Sequence, residues 1–137
     1  MKKMFIVVLT LVLSGCATVD KVLDAYFMKY DSNEYRLITE IRTNAQIFKQ
    51  DCDTQDKAKL NSNVLAYQSR HFVNHTEYLP RNNVVKKSAD ELDKIIQGLN
   101  DQYKKNDKVS ATFCKLKLDT VSKNAELMQK TIGDKPR

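Results

Sequence analysis

Helix-breaking residues are scarce in this chain. It holds three glycines and two prolines in 137 residues. Gly15, Gly133 and Pro136 lie towards the two ends, so Pro80 and Gly98 are the only breakers in the body. Long helices are the expected outcome. Strand-like alternation bounded by turn residues is missing, which argues against a sheet. No glycine-rich phosphate loop occurs. No Cys-x-x-Cys occurs either, which argues against a redox role for Cys52 and Cys114. No Ser-His-Asp or Cys-His arrangement emerges from the spacing. The longest apolar run, Met4 to Leu13, would be a helix of about 15 Å, against ~30 Å for a bilayer core. It cannot span. The formal charge of +6 is spread rather than clustered, with Lys57, Lys59, Lys86, Lys87, Lys104, Lys105, Lys115 and Lys117 interspersed among acids. Basic and aromatic residues do not interleave, so nucleic acid is not an expected partner. A solvated helical surface accounts for most of these lysines, and weak attraction to anionic lipid is the functional alternative.

Four apolar stripes recur at steps of four and three. Leu37, Ile41, Ala45, Phe48 and Cys52 form the first. Leu60, Val64, Tyr67 and His71 form a second, weaker one. Val85, Ala89, Leu92, Ile96, Leu99 and Tyr103 form the third. Cys114, Leu118, Val121, Ala125, Met128 and Ile132 form the fourth. Each set occupies one face of a helix. The boundaries have physical causes. Asp31 and Glu34 have the spacing of a capping box. Asp53-Thr54-Gln55-Asp56 is a polar turn with N-cap candidates. Pro80 disfavours helical geometry at Leu79. Asp107 or Ser110 caps the last helix, and Gly133 is placed to close it in the left-handed conformation. The spacing predicts helices over 33–52, 56–79, 84–104 and 109–132. Short turns make neighbours antiparallel. The expected fold is all-α, an up-down-up-down four-helix bundle over residues 32–133, with 134–137 as a frayed tail.

The N-terminus carries a separate message. Lys2 and Lys3 precede the apolar run, and Leu13-Ser14-Gly15-Cys16 ends it. A basic start, an apolar centre and a small-residue cleavage site make a secretory signal. The last four residues resemble the lipobox of bacterial lipoprotein precursors. The resemblance covers only the first 16–17 residues. It implies that residues 1–15 are removed and that Cys16 becomes the lipid-bearing first residue, a membrane anchor with fatty-acyl chains such as palmitate. In Gram-negative members, an aspartate after the cysteine commonly retains the protein in the inner membrane. Ala17 stands there instead, which by resemblance favours the outer membrane with the body facing the periplasm. Residues 16–31 then form a lipidated tether. Val19, Val22, Leu23, Tyr26, Phe27 and Tyr30 suit either a short amphipathic helix at the membrane or an extension of the first bundle helix.

With Cys16 committed to lipid, Cys52 and Cys114 remain. Two thiols in an exported domain form a natural disulfide pair. Cys52 ends the first predicted helix and Cys114 begins the fourth, so an up-down-up-down bundle brings both to one pole. The bridge would close a loop of about 63 residues, worth roughly 4 kcal/mol in the chain-entropy model.

Candidate chemistry is thin. His71 and His75 have the i, i+4 spacing of a helical metal-binding pair, but Phe72 stands where a metalloprotease has glutamate. A polar helix face explains them equally. Asp90, Glu91 and Asp93 resemble a carboxylate cluster for glycoside hydrolysis, yet they lie where a helix dipole favours acids. Tyr67 and Tyr78 are candidate partner contacts or groove-filling residues. The expectation is a small non-enzymatic envelope lipoprotein, without cofactor, that serves as an accessory or scaffold interaction protein. The alternatives are an inhibitor or exclusion lipoprotein of the phage or plasmid kind, and a metal or small-ligand carrier.

Overall fold

The computed structural model describes residues 28–106 and 108–137. Among them, four helices follow one another without a strand. They are α1 (Ser32–Phe48), α2 (Gln55–Glu77), α3 (Asn83–Lys105) and α4 (Ala111–Gly133), and a 3-10 turn (Lys49–Asp51) follows α1. The closest pairs are α1 with α4 and α2 with α3, and α1–α2 and α3–α4 close the ring. This is the antiparallel four-helix bundle that the spacing predicts.

Side-chain caps set the starts of α1 and α4, whereas Thr54 before α2 and Asn82 before α3 make no side-chain cap bond. Asp31 is extended and its carboxylate accepts the Glu34 N–H at 2.6 Å. Ser110 does the same for the Phe113 N–H at 3.2 Å. Asp107, the other candidate cap, lies outside the described residues. The capping box is only half formed, because the Glu34 side chain turns away from Asp31 into the core. Gly133 does not adopt a positive φ. Its role is spatial: a Cβ there would stand 3.3 Å from Cε2 of the Tyr35 ring.

Three stripes face the core as predicted. Leu37, Ile41 and Ala45 of α1, the α3 set from Val85 to Tyr103, and the α4 set from Cys114 to Ile132 are buried. The α2 stripe is a correction. Leu60, Val64, Tyr67 and His71 lie on the solvent side, and Ala58, Ser62, Leu65, Ala66, Ser69, Phe72, Val73 and Thr76 face inward. Small side chains dominate that inner face, so α2 approaches α3 closely and its serines find polar partners there. Ser62 Oγ lies 3.1 Å from Asn100 Oδ1 and Ser69 Oγ lies 2.7 Å from Asp93 Oδ1, both inside the protein.

The two ends of the bundle are built differently. At one pole, Cys52 and Cys114 form a disulfide with Cα atoms 5.7 Å apart, linking the turn after α1 to the first turn of α4. Gln55 ties the neighbouring loop through both its amide ends to the Val109 backbone. The opposite pole gathers the start of α1, the α2–α3 turn and the C-terminal residues. The tail is not frayed there. The Tyr30 N–H donates to the Pro136 carbonyl at 2.9 Å, and the Arg137 guanidinium lies 5.3 Å from the centre of the Tyr30 ring. Residues 28–31 are not helical, so α1 does not extend upstream through them. The rest of the 16–31 tether lies outside the described residues, as do Cys16 and the signal.

Candidate functional site

Three places were candidates for chemistry or binding. The histidine pair is the first. His75 Nε2 sits 2.9 Å from Asp31 Oδ1, so this imidazole joins α2 to the cap of α1. His71, one turn earlier, is exposed and faces the Tyr67 ring at 6.3 Å between centres. The two rings are thus engaged with different neighbours. Among the described residues, no group of three His, Cys, Asp or Glu side chains is gathered as a metal site.

Asp31 has an electrostatic signature. Partial burial opposes its charge, but the Glu34 N–H, then the His75 hydrogen bond and charge, outweigh that and hold its carboxyl below the ordinary 3.8. A depressed carboxyl adds stability above its unfolded pKa and loses it as pH falls through the folded value. The wild-type urea midpoint should therefore fall below about pH 4. The Asp31→Ala variant should start about 1 kcal/mol less stable at pH 7, as a lost N-cap costs, and show a shallower acid decline. An unchanged acid limb in the variant would remove Asp31 from the explanation.

The carboxylates of α3 diverge. Asp93 is buried and consumed by structure: it accepts from Ser69 Oγ at 2.7 Å and from Gln97 Nε2 at 3.0 Å, and it forms an ion pair with the Arg70 guanidinium at 2.9 Å. Asp90 is half-buried and Glu91 is exposed. Asp93 thus fastens α2 to α3, and the geometry gives no support to a paired acid and base.

Sequence reasoning missed a polar cluster at the pole of the chain ends. Glu34 and Asn82 are buried, and Lys135 is 7% exposed. Lys135 Nζ donates to Glu34 Oε2 at 2.6 Å and to Asn82 Oδ1 at 2.7 Å, while Asn82 Nδ2 donates to Glu34 Oε1. The three side chains close a ring that joins α1, the cap of α3 and the C-terminal tail. No local motif announces it, because its members stand 48, 53 and 101 residues apart.

The remaining feature is the outer face of α2. Leu60 is 63% exposed, Val64 37% and Tyr67 74%. They follow the four-and-three spacing of a helix-pairing seam. Asn44 bonds Gln68, and Asn61 bonds Asp51, which aligns α1 beside α2. Ile47 lies one turn from both Asn44 and Asp51, so it opens on the same side as Val64. It is 52% exposed. It is thus an exposed apolar residue of α1 on the helix face whose polar neighbours bond α2. Residues 57–76 contain no Asp or Glu, and Lys57, Lys59 and Arg70 flank the stripe. The exposed leucines of α4, Leu116 and Leu127, stand eleven residues apart with Thr120 and Lys123 between them. Isolated apolar residues of that kind are ordinary surface.

The chain matches no protein-family model, and comparison with curated proteins and with solved structures returns no match.

Proposed function

We propose that this protein is a small non-enzymatic lipoprotein of the cell envelope, anchored through Cys16, that works by docking another envelope protein. The observation that carries the reading is the outer face of α2. A water-exposed Leu60, Val64 and Tyr67 in register, with Ile47 exposed on α1, is the kind of surface that receives an amphipathic helix. Residues 57–76 bring no acid to this face and Lys59 stands at its rim, which favours a partner helix with an acidic flank, while Lys57 and Arg70 are already paired with Asp51 and Asp93. Tyr67 is the natural anchor, since a tyrosine supplies apolar area with a polar tip at small entropic cost. An accessory subunit or scaffold uses such a face to hold its partner. An inhibitor would use it to block one, and the partner's identity separates the two.

A photo-crosslinking residue placed at Tyr67 in the intact cell tests the reading. Adducts with one protein are expected at that position and absent at Leu127 on α4. Equal labelling from both positions, or none from either, would overturn it. With the crosslinking residue moved to Val64, the Tyr67→Ser replacement should lose the adduct partner yet change stability by less than about 0.5 kcal/mol, as an exposed site does.

A further inference from the structure

The two poles of the bundle expose different side chains. The pole of the chain ends exposes an unusual turn. Tyr78 is 84% exposed, Pro80 is exposed and Leu79 is half-buried. Arg81 follows with φ of 57°, a left-handed conformation that a non-glycine residue adopts at a cost. A cleft of about 480 Å3 opens beside it. Met28, Tyr30, Leu79 and Pro80 supply its apolar walls, and Lys29, Asp31, Arg81 and Asn82 supply polar groups of both signs. The disulfide pole is different. Its turns present Asp53, Thr54, Asn106, Lys108 and Ser110 to water beside Lys104 and Lys105, and their apolar members, Cys52 and Val109, are buried, so exposed apolar side chains rather than cations distinguish the two poles.

We infer that the Tyr78–Arg81 pole rests on the phospholipid head groups, so that the bundle stands on the membrane with its disulfide pole outward. The inference rests on the proposed lipidation of Cys16. Residues 17–27 join that cysteine to Met28, and a fully extended chain covers at most ~3.6 Å per residue. The chain enters the bundle at this pole, within about 40 Å of the lipid. An exposed tyrosine and proline with a partly buried methionine match the composition of the interfacial layer, where aromatic rings sit half wet and an exposed lysine such as Lys29 meets phosphate. The buried ring of Glu34, Asn82 and Lys135 lies beneath this surface and fixes the three chain segments that build it. A standing bundle also leaves the long outer face of α2 free along its length for a partner in the envelope.

The chain contains no tryptophan, so a single introduced one reports its own position. The full lipidated protein carrying Tyr78→Trp would be reconstituted into phosphatidylethanolamine–phosphatidylglycerol vesicles, beside a Tyr67→Trp version. A nitroxide placed at head-group depth then quenches by proximity. The expected result is quenching several-fold stronger for the Tyr78→Trp protein. Equal quenching of the two, on protein whose mass shows lipid at Cys16, would overturn the orientation and leave the anchor intact. A mass without lipid at Cys16 would overturn the anchor and the orientation together.

Discussion

Replacing Lys135 with methionine is expected to destabilise the bundle by about 3–5 kcal/mol, the usual loss when one partner of a buried ion pair is removed. The Lys135 side chain is 4% exposed and that of Glu34 is fully buried. Without the ammonium group, the Glu34 carboxylate would keep only Asn82 as a partner in a site that excludes water. Thermal unfolding should fall by on the order of 10 to 20 °C for a domain of this size. The paired Glu34→Leu and Lys135→Met replacement should recover most of the loss, because it removes the stranded charge as well as its partner. A residual deficit would belong to Asn82, left with unmet hydrogen bonds. If the single and double variants unfolded at the same temperature, the pair would not be coupled, and the tail would have no part in holding the pole.

Removing the disulfide should cost nearly as much. Cys52 and Cys114 are 62 residues apart in sequence, so the bridge restricts a large loop in the unfolded chain. The chain-entropy model puts this at about 4 kcal/mol. The Cys52→Ala, Cys114→Ala protein should unfold at a correspondingly lower denaturant concentration. Complete reduction of the wild type should reproduce the effect. Both cysteines are almost inaccessible, 0% and 2% exposed, so reduction should be slow until the fold opens. A loss under about 1 kcal/mol would mean that the unfolded chain stays compact without the bridge.

Much of the fold was legible because three helices obey one rule. In α1, α3 and α4, large apolar residues recur on the buried face, and the turns between helices carry their own polar or proline signals. The disulfide followed from topology, since an up-down-up-down order places the end of α1 beside the start of α4. The reading failed in α2 for a physical reason. Its inner face combines Ala58, Ser62, Ala66, Ser69 and Thr76 with only a few large residues, while Leu60, Val64 and Tyr67 stand outside. Hydropathy alone ranks the outer face as the core. What decides otherwise is pairing: Ser62 with Asn100 and Ser69 with Asp93 are hydrogen bonds between helices, invisible to a pattern within one helix. The misread stripe is also the best candidate for binding, since apolar residues that the fold does not need remain available to a partner. The tail was misread similarly. Lys135-Pro136-Arg137 has the composition of a frayed end, yet Lys135 has a buried carboxylate waiting about a hundred residues upstream.

Tyr103 has a buried hydroxyl without a protein partner among the described residues, and burial pushes its phenol above the ordinary 10.0. A small cleft of about 140 Å3 beside it, lined by Gln55, Asp56, Lys59 and Lys104, has space for water.

The most direct test of the account is partner capture in intact envelopes, with the wild-type protein crosslinked, isolated and analysed by mass spectrometry beside Cys16→Ala. The account predicts one dominant protein partner that depends on Cys16. Recovery of lipid or murein alone, or the same partner without Cys16, would contradict a lipid-anchored docking protein.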